Sequence, residues 1–434
     1  MSVERPASAI ETADAPLLSS PSEGDENNVR PLVGVLRRAA HDVSFRAAFF
    51  TFMLTRVLVL AVLLVGGQVD RVMTGSRDTT RDINLSLRKL PVSRILNETI
   101  MTADVNWYHG ISADGYEKIT FVADRPHNWA FFPLFPVLWR LCVSLTGEFV
   151  ITGVLMSHLF FFFGLVLAHR VALAFGFSTR VADRSIFYLA IFPTSYFFSL
   201  PLTEPLFLLL TAGCLYTAKR GRWWTMGALG ALASATRVTG VLIWPALAVL
   251  YWQTYGGDNW RSVAAWRAAI GRKEVLGLCI VPAGIASYMC YLYAITGNAL
   301  AFKDINVTWG RSTGFFVFTL YEYLRDPLLI AIPWDFRTLN FAGACLALAG
   351  GALLLKWRQW ALGAYTLLAV MVALSSLILQ SQARYAMVLF PAFIALAVMT
   401  DERPRLDAAI RVVSLALLSL MTALFAAHFS VALS

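Results

Sequence analysis

The sequence predicts an all-α, polytopic integral membrane protein with about eleven transmembrane helices. Composition is the first observation: 58% of the 434 residues are hydrophobic and 15% are charged, with a mean hydropathy of +0.62. A soluble globular domain carries roughly a quarter charged residues. The second is pattern: apolar runs near twenty residues recur along most of the chain, the length that crosses a hydrocarbon core of roughly 30 Å. A soluble core has no need of so many uninterrupted runs.

The elements follow in order. Residues 1–40 are rich in Ser, Pro, Glu, Asp and Asn and lack an apolar run, so they read as a disordered cytoplasmic tail; the first span then directs insertion itself. The remainder, 41–434, reads as one membrane domain. Its expected spans are 45–67, 148–169, 185–201, 203–218, 223–236, 238–252, 274–296, 340–355, 359–380, 385–400 and 409–431. The spans 223–236 and 238–252 are short for a full crossing, which fits a hairpin reaching part way or a pair tilted around a cavity.

Basic residues set the orientation. Arg37, Arg38 and Arg46 precede the first span, and Arg170, Arg180 and Arg184 follow the second. Lys219, Arg220 and Arg222, then Arg261, Arg267, Arg272 and Lys273, then Lys356 and Arg358, and finally Arg403, Arg405 and Arg411 fall on that same side when eleven spans are counted. That side is therefore expected to be cytoplasmic, with the amino terminus; the carboxyl terminus is then extracytoplasmic. The opposite side receives two long segments, about 68–147 and 297–339. The first carries Arg71, Arg77, Arg81, Arg88, Lys89 and Arg94, but long loops translocate largely regardless of charge. The net charge of +9 is scattered through short loops and forms no stripe, which argues against nucleic acid as a partner. Cys142, Cys214, Cys279, Cys290 and Cys345 lie in or beside apolar stretches without a C-x-x-C pair and read as small reduced core residues.

Chemistry concentrates toward the outer side. The first outer segment holds Asp104, Asn106, Trp107 and Tyr108, then Asp114-Gly115-Tyr116, then Asn128-Trp129-Ala130-Phe131-Phe132-Pro133. Carboxylates among aromatics suit a sugar, whose hydroxyls meet the one and whose C–H faces meet the other; an interfacial aromatic belt accounts for the same residues. Glu204, in Thr203-Glu204-Pro205, sits at the rim of a long apolar helix, where it either serves a site or caps the helix start. Arg237 and Arg384-Tyr385 run against the positive-inside trend, and guanidinium forks grip phosphate well. Snorkelling to headgroups explains such arginines too, and explains Arg311, near Lys303 and Trp309, more readily than function does. His109 and His127 lack the compact spacing of a metal site and read as ordinary loop histidines. Sequons at Asn84, Asn97 and Asn306 all fall on the expected outside.

Taken together, these motifs resemble the PIG-V/Gpi18-like mannosyltransferase family, particularly its bacterial members, within the GT-C superfamily of multispanning glycosyltransferases. The resemblance runs from about residue 45 to 400. It rests on Asp104 with Trp107-Tyr108 and Gly115-Tyr116, on Phe131 to Pro136, on Thr203 to Phe207, on Thr236 to Gly240, and on Arg384-Tyr385 with Leu389-Phe390-Pro391. One departure stands out: the family's Trp before the loop aspartate is Ala103 here.

The resemblance implies a GT-C-like fold with a long first extracytoplasmic loop. It implies a membrane glycosyltransferase, a mannosyltransferase by family, that takes a sugar from a polyprenyl-phosphate donor on the extracytoplasmic face, with inversion. The acceptor is a glycan, a lipid or a protein. Asp104 is the expected base by family position; Trp107, Tyr108, Glu204, Arg237, Trp309, Arg311, Arg384 and Tyr385 are expected to bind substrate. No cofactor is required, although a divalent metal is compatible with the chemistry. In a bacterium the location would be the plasma membrane. Two other readings fit the sequence: a transporter or flippase for lipid-linked sugars, and a non-catalytic GT-C-like subunit, to which Ala103 lends support.

Overall fold

The structure is a computed structural model that describes residues 42–73, 92–257, 261–327, 336–429 and 432. The expected tail 1–40 lies outside the described residues. So does 74–91 of the first outer segment, with Arg77, Arg81, Arg88, Lys89 and the Asn84 sequon.

The described chain is helical, with no strand among the described residues. Helix α1 (Val43–Met73) opens with Asp42, whose Oδ1 accepts the Phe45 N–H at 2.9 Å. The first outer segment is built of short helices: α2 (Val92–Ile100), α3 (Asp104–Asp114), a 3₁₀ turn (Asn128–Ala130) and α4 (Leu134–Thr146). There follow α5 (Phe149–Ala174), α6 (Thr179–Ala190), α7 (Thr203–Lys219), α8 (Trp223–Ser234) and α9 (Ile243–Tyr255). Next come α10 (Val263–Ile270), α11 (Val275–Ile280), α12 (Ala283–Thr296), α13 (Ala301–Asp304) and α14 (Phe316–Arg325). The chain closes with α15 (Arg337–Lys356), α16 (Trp360–Leu374), α17 (Gln382–Met387), α18 (Phe390–Thr400) and α19 (Pro404–Ala426). Residues 47–434 form one compact unit; of the separate unit 1–46 only Asp42–Arg46 are described.

Five helices among the described residues are long and apolar enough to cross a membrane: Val43–Asp70, Phe149–Ala174, Val275–Thr296, Arg337–Lys356 and Pro404–Ala426. The other expected spans are shorter helices, and proline explains several of the interruptions. The run expected at 185–201 ends as a helix at Ala190, before Pro193, and continues as a 3₁₀ turn (Ser195–Ser199). The run expected at 385–400 breaks between α17 and α18, just before Pro391, while Val275–Thr296 stays long enough to cross and carries only a turn at Val281-Pro282 between α11 and α12. A ring nitrogen without a proton cannot donate to the preceding turn, and the ring crowds the carbonyl four residues back. The short pair 223–236 and 238–252 is indeed two short helices, separated by Ala235-Thr236-Arg237 and a 3₁₀ turn.

These breaks are held open by side chains. Arg56, fully buried on α1, donates from Nη1 to the Ser195 carbonyl (2.8 Å) and from Nη2 to the Ala190 carbonyl (2.8 Å). It also reaches the hydroxyls of Ser195 (3.0 Å) and Ser199 (3.1 Å), and its plane lies 4.7 Å from the Phe161 ring centroid. Carbonyls freed by the break thus find a donor within apolar surroundings, where an unmatched one would be costly. Asn340 Oδ1 accepts the Ala383 N–H (2.9 Å), and the Gln382 amide donates to the Ala373 carbonyl (3.0 Å), which fixes the start of α17.

Candidate active site

Short helices and helix ends deliver four charged side chains to one place. Asp104 is the first residue of α3, Glu204 lies in the first turn of α7, Arg237 follows the end of α8, and Arg384 sits inside α17. Arg384 bridges two acids: Nε donates to Glu204 Oε1 at 2.6 Å and Nη1 donates to Asp104 Oδ2 at 2.5 Å. Arg237 Nη1 donates to that same Glu204 Oε1 at 2.7 Å, and to the Thr203 hydroxyl at 3.3 Å. Glu204 is completely buried and the Arg384 side chain is 6% exposed, whereas the Asp104 side chain is 38% exposed. The buried carboxylate is therefore the structural hinge of the cluster, and Asp104 is the acid that a soluble hydroxyl can reach. Burial of an ionised carboxylate is tolerated only with paired charge and good hydrogen bonds, and two guanidinium groups supply both.

The second half of the site is aromatic. Arg237 lies 5.3 Å from the Tyr385 ring centroid, and Arg311 lies 5.9 Å from it while donating from Nη2 to the Tyr385 hydroxyl at 3.0 Å. Arg384 stacks over Phe197 at 4.5 Å. Across from these, Trp107 stacks on Phe131 with centroids 5.5 Å apart, and Trp309 meets both rings edge-on at 6.2 and 6.1 Å. Tyr108 packs edge-on to Phe131 and Phe135, and burial pushes its phenol well above the ordinary range, so it stays neutral. Cation–π and edge-to-face contacts of this kind each contribute about 0.5–2 kcal/mol.

The backbone is strained next to Asp104 and near Arg384. Ala103 has φ 46° and Ser381 has φ 65°, conformations that L side chains avoid, and they immediately precede α3 and α17. Such residues cost of order 1–3 kcal/mol and persist where the surrounding structure over-determines them. At Ala103 the strained residue directly precedes Asp104, whose carboxylate meets Arg384.

The structure thus brings Asp104, Glu204, Arg237, Arg311, Arg384 and Tyr385 into one charged cluster, and Trp107, Tyr108 and Trp309 into an aromatic group around Phe131. Arg311, for which headgroup snorkelling was the more ready explanation, instead reaches Tyr385. Glu204 does open α7, but its side chain makes its hydrogen bonds to the two arginines, not to the helix. Some participants escaped the sequence reading. Phe197, a common residue placed by tertiary contact, carries no sequence signal, while Thr203 and Phe131 stand inside the family motifs but not among the expected binding residues. Arg56 did carry a signal, since an arginine inside a 31-residue apolar helix needs a reason. The histidines stand apart: His109 packs edge-on to Phe149 (4.7 Å), and its imidazole pKa is lowered by burial. His127 is held between Glu117 Oε2 (2.5 Å) and Asp124 Oδ1 (3.0 Å), and its contact holds the Asp124 carboxyl below the usual range. Among the described residues no group of three or more His, Cys, Asp or Glu side chains is arranged to hold a metal ion.

Residues 48–325 match the family described as Mannosyltransferase (PIG-V). The GPI alpha-1,6-mannosyltransferase 2 of Rattus norvegicus is 29% identical over 147 residues, which are 31% of this chain and 30% of that protein. Among solved structures, the oligosaccharyltransferase of Archaeoglobus fulgidus with Zn and sulfate aligns at TM-score 0.41 and 13% identity, over 83% of this chain and 53% of that one. The archaeal oligosaccharyltransferase AglB of the same organism, with an inhibitory peptide and a dolichol-phosphate, aligns at 0.39 and 13%, over 86% and 56%. The alignments therefore span about half the length of these structures and under a third of the rat protein.

Proposed function

The chain belongs to the PIG-V mannosyltransferase family, and on that premise we propose that it moves a mannosyl unit from a polyprenyl-phosphate carrier to a hydroxyl acceptor, with inversion. The observation that carries the reading is Arg384 joining a half-exposed acid, Asp104, to a buried one, Glu204.

In the proposed step the acceptor hydroxyl attacks the anomeric carbon as the bond from that carbon to the phosphate oxygen breaks. The described hydrogen bonds of Asp104 engage Oδ2, and its Oδ1 takes the hydroxyl proton. The electron pair of the broken bond leaves with the polyprenyl phosphate. That group gains negative charge, for which Arg311 and Arg237, both in contact with Tyr385, are the positioned counter-charges. Glu204 keeps Arg384 and Arg237 in place, so the site's charge is set before substrate arrives. Trp107, Phe131 and Trp309 offer flat faces to the sugar's C–H surfaces.

We place this site on the extracytoplasmic side of a chain of about eleven spans in a GT-C-like fold, following the basic-residue bias. The acceptor class, glycan, lipid or protein, is left to the assay. Purified protein incubated with polyprenyl-phosphate mannose and a membrane lipid extract is expected to yield a mannosylated product identifiable by mass spectrometry. Asp104→Asn should lower the rate by at least a hundredfold while the folded protein remains intact. Undiminished transfer in that variant would remove Asp104 as the base.

A further inference from the structure

Helix α14 presents three different faces. Thr319 and Tyr323 are buried: the Thr319 hydroxyl donates to the Leu374 carbonyl (2.7 Å), and Tyr323 stacks on Phe341 with centroids 4.3 Å apart. Val317, Tyr321 and Leu324, spaced i, i+4, i+7, form an exposed apolar stripe at 43%, 57% and 64% exposure. Phe318, 59% exposed, lies beside the stripe on the edge that also carries Glu322 and Arg325. Glu322 and Arg325, spaced i, i+3, form an exposed polar edge beside the stripe.

The position of α14 says what covers the stripe. Its buried face packs against the first turns of α15, through Phe341 and Thr338, and against the last residue of α16. Helix α15 has 20 residues, about 30 Å, matching the hydrocarbon thickness, so its first turn lies at the level where acyl chains meet headgroups. A short helix lying there, with an apolar stripe on one side and a charged edge on the next, has the pattern of an interfacial helix.

We propose that α14 lies in the membrane interface, with Val317, Tyr321 and Leu324 in the acyl-chain boundary and with Glu322 and Arg325 among the headgroups. The occupant of the exposed stripe is the bilayer itself. The helix is tied to the charged cluster on both strands of its approach. Arg311 lies five residues before it, the Gly314 N–H donates to the Ser375 carbonyl (3.0 Å), and the Ser312 N–H donates to the Ser376 carbonyl (3.3 Å). From Ser376 the chain leads in six residues to Gln382, the first residue of α17. This inference depends on the chain residing in a bilayer and not on the sugar it transfers.

The test is a nitroxide scan of full-length protein in phosphatidylcholine nanodiscs. Cysteines are placed singly at Val317, Tyr321, Leu324, Glu322 and Arg325, after Cys142, Cys279, Cys290 and Cys345 have been replaced by Ala. Collision rates are then measured with oxygen, which concentrates in acyl chains, and with a water-soluble nickel chelate. Positions 317, 321 and 324 should favour oxygen, and 322 and 325 should favour nickel, by at least threefold in the ratio. Equal accessibility at all five positions overturns the proposal. Dipolar broadening at 317, 321 and 324 also overturns it, because it shows a second copy of the chain on the stripe. A monodisperse elution profile of each labelled variant reports that it is folded.

Discussion

At the scale of single residues, Glu204 is the most consequential. It is fully buried and shared by Arg237 and Arg384, so its removal takes the acid partner from Arg237 and leaves Arg384 with Asp104 alone. Glu204→Gln keeps the shape and loses the charge. It is expected to destabilise the fold by about 3–5 kcal/mol, readable as a lowered unfolding midpoint, with transfer activity lost in the material that remains folded. An unchanged midpoint would show that the pair contributes little. This also marks what the sequence could reveal at this scale. A carboxylate and three arginines out of place in apolar or outer segments were visible as anomalies, and family motifs ordered them. Which acid pairs with which base was not visible, because the partners lie 180 and 280 residues apart and only folding joins them. The difference in burial between Glu204 and Asp104, on which the proposed division of their roles rests, likewise belongs to the tertiary structure.

At the scale of elements, the site depends on how closely α17 approaches α15. Gly343 permits that approach, since a Cβ there would lie 2.7 Å from Ala383 Cα, the residue next to Arg384. Gly343→Val should push α17 away and separate Arg384 from Glu204. We expect a destabilisation of about 1–3 kcal/mol and a loss of activity larger than that in a variant of comparable stability elsewhere. Matched stability with full activity would show that α17 tolerates displacement. The sequence exposed such elements unevenly. Pro193 and Pro391 announced breaks, and Pro282 a turn, that the span list ran through, because hydropathy averages over a proline while the backbone cannot. The helices within 92–146 were read as loop. Helix α3 in particular carries Gly110 and no sustained apolar stripe, so its helical state is imposed by the packing of Tyr108 and Ile111.

At the scale of the whole molecule, the distribution of basic residues predicts a membrane orientation. Lys303→Cys and Glu402→Cys, in separate variants, should respond oppositely to a membrane-impermeant maleimide applied to intact cells. Lys303→Cys labels readily, and Glu402→Cys labels only after the membrane is opened. The reverse result would turn the proposed site toward the cytoplasm.

The pairing that organises the site also has a temporal side. A chain threaded into a membrane from its amino terminus releases Glu204 before either of its partners exists. Arg237 emerges 33 residues later and Arg384 180 residues later, an interval of roughly 10–40 s for the latter at ordinary elongation rates. During that interval Arg237 alone shields the carboxylate. The nascent protein therefore balances Glu204 with Arg237 first, and a ribosome stalled before codon 384 leaves Asp104 without the cation it meets in the folded site.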